Sequence, residues 1–76
     1  MKVFIETDLE GISGVSTAEM VAGSDRYALE RLMADTDAAV RGALDAGAER
    51  VFVLDGHGGG RNFLPGLLDP DRKSVV

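Results

Sequence analysis

The apolar residues fall into two short runs separated by one long periodic stretch. Val3-Phe4-Ile5 is a continuous apolar run closed by Glu6. It predicts a strand over roughly residues 2 to 8, of the kind buried on both faces in a parallel sheet. Leu29, Leu32, Met33, Thr36, Val40, Ala43 and Leu44 recur at helical spacing. They predict one long helix from about Ser24 to Ala46. Asp25, Arg26, Glu30, Arg31, Asp37, Arg41 and Asp45 mostly populate its other side. Val51-Phe52-Val53-Leu54 predicts a second strand beginning near Arg50.

Between these elements the punctuation is glycine. Gly11-Ile12-Ser13-Gly14 reads as a turn. Ser16-Thr17-Ala18-Glu19 has capping-box spacing, so a short helical turn is expected to start at Ser16 and stop at Gly23. Gly47 stands where a left-handed C-terminal cap is expected. Gly42, inside the helix, costs about 1 kcal/mol relative to alanine and is expected to permit close packing on the sheet. A glycine-rich loop, Gly56-His57-Gly58-Gly59-Gly60, follows the second strand. A short helix is expected over Asn62 to Leu68, then a turn at Asp69-Pro70-Asp71. Lys73-Ser74-Val75-Val76 reads as the start of a third strand. Strand, helix, strand is a βαβ unit. The fold class is therefore α/β, a βαβ unit from a doubly wound, mainly parallel sheet. Such a sheet needs more neighbours than two strands supply, so residues 1–76 are expected to be the N-terminal part of a larger domain.

The chemistry sits at the strand ends. Ligands bind beyond the carboxyl ends of the strands in an open α/β sheet. Strand one runs into Asp8 and Glu10; strand two runs into Asp55 and His57. Residues i and i+2 of extended backbone share a side, so Asp8 and Glu10 crowd two negative charges together and call for a cation. Adjacent strands lie ~4.8 Å apart, close enough for His57 to join them. Two carboxylates and an imidazole suit zinc, and manganese or iron also fit. Asp8 has two oxygens and can bridge two ions, a pairing that activates water and polarises a carbonyl. Asp55 reads as an outer partner for the histidine's second N–H, or as a turn-former, rather than a ligand. The bland alternative is that an acidic pair before a helix and a lone histidine in a polar loop are merely solvated.

Composition narrows the rest. The 76 residues include 13 acidic against 8 basic, a net charge of −5, and no cysteine. A disulfide framework and a thiolate zinc site are excluded. The basic residues form no stripe, so no nucleic-acid partner is expected. An acidic surface disfavours anionic lipid, and the N-terminal apolar run is far too short to span a membrane or serve as a signal peptide. The chain reads as soluble and cytoplasmic.

Two further motifs compete with the metal site. His57-Gly58-Gly59-Gly60 matches the oxyanion loop of lipase-like hydrolases, but the serine elbow that reading needs is missing, since Val15 stands where Gly11-Ile12-Ser13-Gly14 would need a final glycine. A phosphate cradle at the same loop lacks its G-x-x-x-x-G-K-[ST] or G-x-G-x-x-G partner pattern and has acidic neighbours that repel phosphate.

Asp8-Leu9-Glu10-Gly11-Ile12-Ser13-Gly14, Arg26-Tyr27, Glu30-Arg31 and Asp55-Gly56-His57 together resemble the zinc-dependent D-aminopeptidases of the dipeptide-transport (DppA) type. The resemblance runs over nearly the whole chain. It implies a two-zinc aminopeptidase that releases an N-terminal D-amino acid from short peptides, with a doubly wound core and a ring-like homo-oligomer. It also implies that Asp8 bridges both ions while Glu10 and His57 complete the first. The second ion needs another histidine and another glutamate, and the catalytic residues lie outside these 76 positions. On that basis the chain alone is expected to be inactive. The alternative in a different class is a truncated, non-catalytic α/β module that only associates with other subunits or a small ligand.

Overall fold

The computed structural model describes residues 1–22, 24–64 and 74–75. Its elements are β1 (Lys2–Thr7), a single 3-10 turn (Met20–Ala22), α1 (Arg26–Asp45), β2 (Arg50–Asp55) and β3 (Ser74–Val75). The sheet order is β1-β2-β3, and both pairings are parallel. The β1–β2 register runs from Lys2 opposite Arg50 to Thr7 opposite Asp55. This is the α/β architecture and the βαβ unit that the hydrophobic pattern predicts, with the third strand where Ser74 and Val75 placed it.

Helix α1 starts one residue after Asp25, whose carboxylate accepts from the Ala28 N–H at 3.0 Å. That capping bond satisfies a donor with no partner inside the helix. The helix buries Ala28, Leu32, Met33, Thr36 and Val40, the stripe that the 3.6-residue period selects. Its exposed side carries Arg26–Glu30 and Arg41–Asp37 ion pairs at 2.9 and 3.3 Å, each adding a few tenths of a kcal/mol. Gly47, at φ +101°, closes the helix in the left-handed conformation expected of it.

Two apolar clusters hold the unit together. Leu9, Ala28, Leu32 and Met33 form one, with Ile12, Val15, Met20 and Val21 against it. Val40, Ala48, Val51 and Val53 form the other, under Val3 and Ile5. Each fully buried aliphatic side chain stabilises by roughly 1.5–3 kcal/mol. The first cluster lies under the loops at the carboxyl ends of the strands and so anchors what those loops carry.

Several expectations are corrected. Among the described residues β1 is covered on one face: Val3, Ile5 and Thr7 turn toward α1, while Phe4 is 59% exposed. A run of three apolar residues has no period of its own, so it could not show that only one face has a partner. The short helical turn begins after Thr17 rather than at Ser16, because the Met20 N–H finds both the carbonyl and the hydroxyl of Thr17; the expected stop at Gly23 lies outside the described residues. A side chain at Gly42 would meet open space, so that glycine serves no close contact. Asn62, Phe63 and Leu64 are not helical; the rest of the helix expected to Leu68, and the turn at Asp69–Asp71, lie outside the described residues. No helix among the described residues is long and apolar enough to cross a membrane.

Candidate metal centre

β1 ends at Thr7, so Asp8 and Glu10 are not on a strand. They share a side for another reason. Leu9 between them is fully buried in the first apolar cluster, and the Ile12 N–H closes a turn on the Leu9 carbonyl at 3.2 Å. With Leu9 plugged inward, both flanking carboxylates face out. A second device fixes the loop that carries Glu10. Asp35 on α1 accepts from the Ser13 N–H at 2.9 Å and the Ser13 hydroxyl at 2.8 Å. Arg31 donates to the Ser13 carbonyl and hydroxyl at 3.3 and 2.8 Å. The Ser13 contacts, led by its N–H, hold the Asp35 carboxyl below the usual carboxylate range.

His57 arrives from the other strand. Gly56 is what lets it come so close: its N–H donates to the Thr7 carbonyl at 2.9 Å, and a Cβ there would sit 2.7 Å from that same oxygen. Asp55, immediately before it, is buried and accepts from the Asn62 N–H at 2.6 Å, the Asn62 side-chain amide at 2.8 Å and the Phe63 N–H at 3.1 Å. Asn62 in turn donates to the His57 carbonyl at 2.7 Å. Asp55 is thus the turn-former of its two expected roles, and it acts on His57 through Asn62.

The imidazole is held at both nitrogens. Nδ1 lies 2.8 Å from an Asp8 oxygen and 3.1 Å from a Glu10 oxygen. Nε2 lies 2.7 Å from the carbonyl of Val21. Ionised carboxylates and a carbonyl only accept, so the ring satisfies all of them only when it carries a hydrogen on each nitrogen. The Asp8 carboxylate first, and the Val21 carbonyl after it, accordingly raise the His57 pKa above its ordinary value. The His57 hydrogen bond, with smaller help from Glu10, lowers that of Asp8. The histidine side chain is 17% exposed, whereas Asp8 and Glu10 are 61% and 63% exposed; the ring forms the floor and the carboxylates face solvent.

Asp8, Glu10 and His57 each offer one donor atom within 4.8 Å of the others. Two ligands of a tetrahedral zinc ion stand about 3.3 Å apart when each is ~2.0–2.1 Å from the metal. The Nδ1 distances of 2.8 and 3.1 Å are the hydrogen-bonded form of that arrangement. Exchanging the Nδ1 hydrogen for an ion requires the donors to separate by only a few tenths of an ångström. The donor set fits a divalent cation. A cleft of about 370 Å³ opens beside it between β1 and α1, along Thr7, Asp8, Glu10, Ile12 and Thr36, within the ~300–1,000 Å³ typical of small-molecule sites.

Sequence reasoning named Asp8, Glu10, His57 and Asp55. It missed the Val21 carbonyl, the Asn62 bridge and the Ser13–Asp35–Arg31 clamp. A backbone carbonyl has no residue signature, and Arg31 and Asp35 look like any helical ion pair.

A family model described as D-aminopeptidase (Peptidase_M55) matches residues 1–76. No curated protein and no solved structure matches the chain.

Proposed function

Because the chain belongs to the D-aminopeptidase family Peptidase_M55, we propose that Asp8, Glu10 and His57 hold zinc in an aminopeptidase that releases the N-terminal D-residue of short peptides. The observation that carries this is the meeting of Asp8 and His57, 49 positions apart, with Glu10 at one point. Two carboxylates against one imidazole leave surplus negative charge there, which a divalent cation offsets. Manganese suits the same donors.

When bound, zinc lowers the pKa of water and polarises a peptide carbonyl. The chain's own residues supply the frame. Leu9, buried between the acids, fixes their direction; the Ser13–Asp35 contact keeps Glu10 from swinging away. Asp8, with two carboxylate oxygens, would be the residue shared with a second ion. The cleft beside Asp8 and Glu10 takes the peptide. One imidazole and two carboxylates account for a single ion, and a two-zinc centre needs donors beyond these three. The 76-residue chain on its own is therefore proposed to bind one zinc weakly and to hydrolyse no peptide.

Zinc titration of the chain tests the reading. One ion per chain is expected, and Asp8→Asn and His57→Ala should each weaken binding by at least ~10-fold. Unchanged affinity in either variant removes that residue from the site. Zinc-dependent release of a D-amino acid by residues 1–76 alone would overturn the view that half of the centre lies elsewhere.

A further inference from the structure

Resting on that metal reading, we propose that the carbonyl of Val21 is a positioning group that commits His57 to bind the cation through Nδ1 and not Nε2. The ring is one of two isomeric ligands, and the two differ in what the other nitrogen must do. Nε2 lies 2.7 Å from the Val21 oxygen, an atom that can only accept. As long as that contact stands, Nε2 keeps its hydrogen. A neutral imidazole has one N–H, so the lone pair is then on Nδ1, the nitrogen 2.8 and 3.1 Å from Asp8 and Glu10. Metal on Nε2 would break the carbonyl contact and turn away from both carboxylates. Rotating the ring by half a turn would set carbon atoms against all three oxygens.

The carbonyl is held in place independently of the metal. It lies in the single 3-10 turn Met20–Ala22, where the carbonyls of the last turn have no partner within the helix. The turn is tied by Met20 N–H to Thr17 and by Val21 N–H to the Ala18 carbonyl at 3.3 Å. Met20 and Val21 pack on the cluster that also buries Leu9. One apolar cluster thus fixes both walls of the site: the acids on one side and the group that orients the imidazole on the other. The N–H···O=C contact also makes Nδ1 a stronger donor to a metal. Binding exchanges the Nδ1 proton, released to water, for the ion.

His57 is the only histidine, so labelling the chain with ¹⁵N-histidine gives one imidazole and no overlap. Long-range ¹H–¹⁵N spectra during zinc addition read the two nitrogens separately. Nδ1 is expected to take the metal-induced shift while Nε2 keeps a proton-bearing signal. The opposite pattern overturns the proposal and leaves the metal centre standing. A ring that ignores zinc at both nitrogens sinks the metal centre, and this inference with it. A synthetic pair separates position from mere structure. A chain with Nδ1-methylhistidine in place of His57 should lose zinc binding, and one with Nε2-methylhistidine should keep it, weakened about 10–100-fold. The reverse order, or no weakening in the Nε2-methyl chain, overturns the role given to Val21.

Discussion

His57 faces an acceptor at each ring nitrogen, so its protonated form is favoured and linked to the charge of Asp8. Its pKa is raised above the ordinary 6.5, by Asp8 first and Val21 next. Stability from that shift is fully present below pH 6.5 and is lost as pH rises through the raised value. Asp8 is lowered from 3.8, chiefly by His57; its share is present above 3.8 and is lost as pH falls through the lowered value. In chelator the chain should resist urea best between about pH 4 and 6.5. The midpoint should then decline toward alkaline pH in the native chain and decline less in His57→Gln; identical profiles would remove the coupling. At this scale the sequence displayed the three side chains that meet, because acids and an imidazole are chemically conspicuous at strand ends. It hid Val21, whose contribution is a peptide oxygen that every residue possesses.

At the scale of elements, α1, expected from about Ser24 to Ala46, spans Arg26–Asp45, because twenty residues of 3.6-fold periodicity leave little choice and Gly47 marks its end; the Asp25 cap that sets its start was not read from the sequence. The segment after β2 was not. A short helix was expected to start at Asn62, but the Asp55 carboxylate takes the N–H groups of Asn62 and Phe63, which a helix start would otherwise have offered to a cap. For Asn62 and Phe63 a buried acid seven and eight residues upstream is the partner, and no local propensity reports it. Gly42 gives a clean test of the helix itself. It is exposed with nothing near the missing Cβ, so Gly42→Ala should raise unfolding free energy by about 1 kcal/mol. A loss on denaturant titration would mean that this position packs against something.

For the whole molecule the decisive asymmetry lies between the two faces of the sheet. Only α1 packs on β1 and β2 among the described elements other than the strands themselves, and it does so from the side of Val51 and Val53, both essentially inaccessible. Leu32→Ala should cost about 2–5 kcal/mol, whereas Phe4→Ala should stay within about 0.5 kcal/mol. Comparable losses in thermal melts would show the Phe4 face covered in solution. The parallel order of the strands was readable from one helix between two apolar runs; which face lacked a neighbour was not, since the same three residues would look alike in either case.

The parallel ladder also has a kinetic side. Met1 meets Glu49 across 48 positions, and the rungs above it, up to Thr7 and Asp55, keep that separation. Local structure such as α1 forms before so long a segment closes on itself, because the closure entropy precedes its reward. The three donors are therefore expected to meet late in folding, after α1 has formed. A cation bound there as proposed would act as a latch on a finished door, delaying departure from the native state far more than hastening arrival.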